Sequence, residues 1–148
     1  MKLIYSIVTV VALGFTCYGC HKKNSSPIIE VNYQNYSIES ITGPSWESVI
    51  SGEHPEYLIK VTISEKDVCD SIISQLKTLS PMKKEAIPEN CKTNMQCIVH
   101  YPTSHKADTL LIGYWCISLN GVVMKDNGVL VQMIKKHSGF YNPHFKSL

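Results

Sequence analysis

Arginine is missing altogether: all 14 cationic side chains among the 148 residues are lysine. The planar fork that grips phosphate, carboxylate or guanine bidentately is therefore absent. With 12 acidic side chains the net charge is only +2, so nucleic-acid binding is excluded as a default function. Repeats and low-complexity segments are lacking too, as is any uninterrupted apolar run of the roughly 20 residues that a spanning helix needs. No G-x-S-x-G, H-E-x-x-H, G-x-G-x-x-G or P-loop spacing occurs. The recognisable hydrolase, zinc-protease, dinucleotide and nucleotide signatures are thereby removed, and no cofactor is expected. Charged residues make up 18% of the chain against 44% hydrophobic. That balance is too apolar for disorder and suits one small globular domain.

The chain starts with Met1 and Lys2, then runs without charge from Leu3 to Phe15 and closes on the polar residues His21 to Ser26. A positive start, a short apolar core and an early polar stop describe a secretory signal rather than a membrane span. The segment Thr16-Cys17-Tyr18-Gly19-Cys20 resembles the lipobox of bacterial lipoproteins, in which a small residue precedes the cysteine that receives lipid after cleavage. Gly19 and Cys20 carry the likeness. Cys17 and Tyr18 stand where most of the family has Leu and a small residue, a looseness common among lipoproteins of the Bacteroidetes. The resemblance implies a signal peptide over residues 1–19, lipidation of Cys20 and a polar tether over 20–27. It also implies a single domain over 28–148, held at the outer membrane and facing the periplasm. Several acyl chains together give the stable membrane attachment that one alone does not.

In the mature part, residues 28–50 mix β-branched and tyrosine residues with turn formers and read as one irregular strand. Tyr57 to Ile63 is a firmer strand. Ser64 with Asp67 forms a weak capping box. Val68, Cys69, Ile72, Ile73, Leu76 and Leu79 then mark one face of a helix ending before Pro81, with Lys66, Asp70, Ser74 and Lys77 on its outer side. Met95–Tyr101 and Thr109–Leu119 read as two further strands. Asn120-Gly121 satisfies the positive φ of a type I′ turn, which pairs Leu119 with Val122 and Ile117 with Met124. By alternation Leu111 and Trp115 join that face, making it the core. Asp126 or Asn127 is expected to cap a last helix, 128–138, which Gly139 stops. The order predicts an α+β fold: a two-layer sandwich, an antiparallel sheet with two helices on one face.

After Cys17 departs and Cys20 takes lipid, Cys69, Cys91, Cys97 and Cys116 remain. An even number in an oxidising compartment predicts two disulfides, and spacing alone leaves three connectivities open. Strand parity prefers one of them. Cys97 shares the face of Met95, Val99 and Tyr101 and so points at the helices and Cys69, which leaves Cys91 to reach Cys116. A single β-bulge would invert the choice.

Metal binding is not expected. Cys97 and His100 form a C-x-x-H, but residues three apart on a strand point to opposite faces. A Cys/His nucleophile would need a free thiolate beside an imidazole such as His105 or His54, both in turns. Glu53 and Glu56 are the closest exposed acid pair outside the helices, and no carboxylate pair is marked as converging. Tyr101 and Tyr114 are placed near each other across the central hairpin, and Tyr33, Tyr36 and Trp46 fall in the irregular N-terminal part. Such aromatics suit recognition of a protein or a glycan.

The expectation is therefore a non-catalytic lipoprotein that binds a protein partner, with the membrane reached through its lipid and nucleic acid excluded. An immunity or inhibitor protein against a toxin or hydrolase is the concrete form. The binding residues are Tyr101, Tyr114, His105 and Trp46. The rivals are a cell-envelope hydrolase with a Cys/His or carboxylate site and an accessory subunit of an envelope assembly.

Overall fold

The computed structural model describes residues 26–35, 43–84, 91–126 and 128–140. The signal, Cys20 and Tyr36 lie outside the described residues. Seven strands form one sheet: β1 (Ile28–Gln34), β2 (Leu58–Ile63), β3 (Ser80–Pro81), β4 (Thr93–His100), β5 (Ala107–Gly113), β6 (Ile117–Leu119) and β7 (Val122–Lys125). They lie in the order β2-β1-β4-β5-β6-β7-β3, and every neighbouring pair is antiparallel. The helices are α1 (Trp46–Ile50), α2 (Lys66–Leu76) and α3 (Val129–His137), with a 3-10 turn at Pro55–Tyr57. Among the described residues no helix is long and apolar enough to cross a membrane.

The two-layer α+β sandwich follows from alternation. Ile29, Val31 and Tyr33 of β1, Met95, Cys97 and Val99 of β4, and Leu110 and Ile112 of β5 are buried on one face. They meet Cys69, Ile72, Ile73 and Leu76 of α2 and Leu130 and Ile134 of α3, one contiguous core. Helix α2 leaves β2 at one edge of the sheet and delivers the chain to β3 at the other. Helix α3 ends in a left-handed Gly139 at φ 75°, whose geometry lets the Phe140 N–H bond the Lys135 carbonyl at 3.0 Å. Phe140 then stands edge-on to Tyr33 at 5.3 Å, and the Tyr33 hydroxyl donates to the Ser138 carbonyl at 3.2 Å.

Several expectations are corrected. Residues 28–50 are not one irregular strand: β1 is an interior strand of the sheet and Trp46–Ile50 is a helical turn capped by the Ser45 hydroxyl. The cap of α2 is Glu65, without a side-chain bond, in place of a Ser64–Asp67 box. The cap of α3 is Gly128, at φ 79°, in place of Asp126 or Asn127. The stretch 109–119 is two strands, β5 and β6, reversed at Tyr114-Trp115. Leu110 and Ile112 therefore face the core where Leu111 was expected, and Trp115 is 78% exposed. The Asn-Gly hairpin stands as expected, with φ 51° and 83° and the pairs Leu119–Val122 and Ile117–Met124.

The cysteines divide differently from the expectation. Cys91 and Cys116 are bonded, whereas Cys69 and Cys97 are both free thiols in the core, so the expected second bridge is not formed. The Cys69 thiol donates to the Ile63 carbonyl at 3.4 Å. Burial, and then the neighbouring Cys69, push the Cys97 thiol up to about 12. Neither thiol is therefore expected to alkylate in the native protein. Unfolding without a reductant should release both, while Cys91 and Cys116 should label only after reduction. If all four needed reduction, Cys69 and Cys97 would be a second bridge.

Candidate functional site

The sheet face turned away from α2 and α3 mixes polar side chains with the apolar Ile28, Ile98 and Leu111. Glu30 meets His100 at 3.3 Å across the β1–β4 pair, and the Asn32 amide donates to Gln96 at 3.4 Å. Cys97 and His100 thus fall on opposite faces, the thiol in the core and the imidazole in solvent. Among the described residues no three His, Cys, Asp or Glu side chains converge as metal ligands.

One end of this sheet is distinctive. A two-residue connection, Tyr114-Trp115, joins β5 to β6, and the Gly113 N–H bonds the Cys116 carbonyl at 2.9 Å to close it. Neither aromatic residue has a positive φ, so the turn is not one of the primed types whose twist matches paired strands. A second tie compensates. Thr93 lies opposite Gly113 and the Tyr114 N–H reaches the Lys92 carbonyl at 3.4 Å, which brings Cys91 to the hairpin end. Cys91 and Cys116 are there 5.6 Å apart at Cα, within the usual range for a bridge. Gly113 is required by the same closeness, since a Cβ on it would lie 2.6 Å from the Lys92 carbonyl oxygen. Gly113→Ala must push two backbones apart, and a loss of about 1–3 kcal/mol in a denaturant melt is expected.

The stapled turn holds Tyr114 at 61% and Trp115 at 78% exposure, the two most exposed large apolar side chains among the described residues. A single exposed aromatic needs no explanation, but two adjacent ones on a pinned tip form a surface that water solvates poorly. A cleft opens on each side. One, of about 570 Å³, has Trp115, Met82, Met124, Val131, Lys125 and Lys135 among its walls. The other, of about 500 Å³, lies between the α1 segment and the sheet and is bordered by Tyr114, Trp46, Asn94, Gln34, Glu47 and Lys92. Lys92, Lys125 and Lys135 stand against Glu47 and Asp126 around the turn.

The other expected binding residues are placed elsewhere. Antiparallel pairing puts His100 opposite Ala107 and Thr93 opposite Gly113, so Tyr101 and Tyr114 lie at opposite ends of the β4–β5 hairpin. Tyr101 is half-buried and its hydroxyl donates to Asp108. Asp108 also accepts from the Asn120 amide at 2.9 Å, while the Asn120 oxygen accepts from the Thr109 N–H at 2.8 Å. This network ties the Asn-Gly turn down. His105 is exposed in the loop beside it, and Trp46 is 9% exposed. Trp115, which was assigned to the core, is the site residue that alternation misses. The length of the proposed strand carried the signal, since eleven residues is twice the usual strand and implies a reversal within it.

The network also sets a pH dependence. The Tyr101 hydrogen bond, then that of Asn120, hold the Asp108 carboxyl below its ordinary value. The stability it contributes is therefore complete above about pH 4 and is lost as the pH falls through the depressed value. Burial, then the Asp108 hydrogen bond, raise the Tyr101 phenol to about 12, so its contribution is complete below about pH 10 and is lost on further alkalinisation. Asp108→Asn should flatten the acid limb of stability, read as denaturation midpoints between about pH 2 and 5. An unchanged acid limb would show that other carboxylates set it.

No family model, no curated protein sequence and no solved structure matches this chain.

Proposed function

We propose that the chain is a lipid-anchored, non-catalytic recognition module of the cell envelope, an inhibitor or immunity protein that masks one protein partner, a toxin or hydrolase. The observation that carries this reading is the Tyr114-Trp115 tip, two exposed aromatics fixed by a disulfide at the end of a rigid sheet. Exposed Trp and Tyr on a backbone already pinned give large contact area at reduced entropic cost, and both are enriched among binding hot spots. The cleft beside Trp115, with Met82, Met124 and Val131 among its walls, gives the partner a complementary recess, and the surrounding lysines favour a partner rim that bears carboxylates. Two of the described cysteines are bonded and the other two are buried with their thiols held protonated, which supports a non-catalytic role over a thiol hydrolase. The lipobox-like Gly19-Cys20 supports the anchor and the envelope address.

The test compares the full chain, extracted from membranes, with its Trp115→Ala variant. Wild-type protein should retain one envelope protein that the variant loses, and its intact mass should show residues 1–19 gone and acyl mass added. A partner retained equally by both would place recognition elsewhere. A mass without lipid would remove the anchor while leaving the recognition reading standing.

A further inference from the structure

The cleft between α1 and the sheet, on the Tyr114 side, carries an inference about a small ligand beyond the protein partner. The uncharged polar side chains of Gln34, Ser45, Thr93 and Asn94 line it together with Trp46 and Tyr114. Asn94 is the extra residue of a β-bulge between Thr93 and Met95, so it is set out of the regular ladder at the start of β4. It is only 6% exposed and borders the cleft, yet among the described residues its amide makes no hydrogen bond within the protein. The Trp46 indole N–H, on a residue 9% exposed, is likewise without a partner among the described residues. No side-chain nitrogen or oxygen among the described residues is both fully buried and unpaired, so these two groups open onto the cleft, where water or a ligand supplies their bonds.

The polar groups already engaged fix the shape of the cleft. The Gln34 amide nitrogen donates to the Pro44 carbonyl at 3.2 Å, which holds the α1 segment over the sheet end and leaves the Gln34 oxygen toward an acceptor role. Charge is confined to the exposed Lys92 and Glu47, of opposite sign, so the cleft selects neither an anion nor a cation. One wall is the exposed ring of Tyr114. A flat aromatic face beside neutral amide donors and acceptors, in about 500 Å³, matches a ligand with an apolar C–H face and a rim of hydroxyl groups.

We propose that this cleft binds a pyranose ring, either a free sugar or the end of a glycan chain, with Tyr114 stacking on the ring and Asn94 pairing with two neighbouring hydroxyls or an acetamido group. Its occupant is distinct from whatever meets Trp115, although the two sites share one turn.

The test is a titration of the full chain with glucose, N-acetylglucosamine and the β-1,4-linked trimer of the latter, followed by amide and indole N–H resonances. At least one probe should bind in the millimolar range typical of so small a ligand, shifting Asn94, Thr93 and the Trp46 indole. Tighter binding of the trimer than of the single sugar supports a glycan chain, and equal binding supports a single ring. Asn94→Leu and Tyr114→Ala should each weaken binding about tenfold, whereas Trp115→Ala should change it less than about twofold. Tyr114 is exposed, so its variant keeps the test valid if Asn94→Leu does not fold. Absence of cleft shifts with all three probes, or binding that survives Tyr114→Ala, would overturn the proposal. Loss of the protein partner on Trp115→Ala with sugar binding retained separates failure of one site from failure of the other.

Discussion

Replacing Cys91 and Cys116 together by Ser is expected to cost about 3.5 kcal/mol of stability and to lower the melting temperature by about 10–15 °C. The magnitude comes from loop closure. The bridge spans 25 residues of sequence, and removing a loop of that length from the constrained unfolded ensemble releases entropy of that order. The domain should still fold, because β5 and β6 keep three cross-strand pairs and the main core does not include the bridge. What changes locally is the tip. Without the bridge the Gly113–Cys116 bond and the longer Tyr114–Lys92 bond remain among the ties of the Tyr114-Trp115 connection. Partner affinity should therefore fall with reduction even at temperatures where the protein is fully folded. Calorimetry with and without reductant measures the first effect, and binding under the same conditions measures the second. A melting temperature that does not move on reduction would contradict the assigned bridge.

Trp115→Ala is expected to weaken partner binding by about 2–4 kcal/mol, roughly 30-fold to 1000-fold, with no more than about 0.5 kcal/mol of change in stability. The asymmetry is the informative part. A side chain that is 78% exposed contributes little to the core, so its removal leaves folding nearly untouched. The same exposure makes its full surface available for burial by a partner. Tyr114→Phe should cost less than Trp115→Ala, since it keeps the ring and removes only the hydroxyl. His105→Ala should be neutral, because that side chain lies in the 101–106 loop at the far end of the β4–β5 hairpin.

The parts of the fold that depend on local chemistry were legible in the amino-acid chain. Asn120-Gly121 specified its hairpin and register because few residues besides Asn and Gly adopt those backbone angles. The spacing of Cys69, Ile72, Ile73 and Leu76 specified the buried face of α2. Parity placed Cys97 toward the core, and elimination paired Cys91 with Cys116. Facing did not amount to bonding, however, and Cys69 and Cys97 remain separate thiols. The misread parts rest on non-local pairing. β1 belongs inside the sheet because β4, more than 60 residues away, pairs with it. The reversal at Tyr114-Trp115 has no turn-forming residue at its centre and depends on Gly113, Lys92 and the bridge. Alternation carried unbroken through that reversal sends Trp115 inward, and so conceals the residue on which the proposed recognition depends.

Partner docking at the Tyr114-Trp115 turn is measured most directly by photo-crosslinking in living cells, with the reactive residue placed at Lys125, beside the turn, or at His105, at the far end of the hairpin. One discrete adduct is expected from position 125, abolished by Trp115→Ala, and none from position 105. An adduct from 105 alone, or one from 125 that persists without Trp115, would contradict docking at the turn.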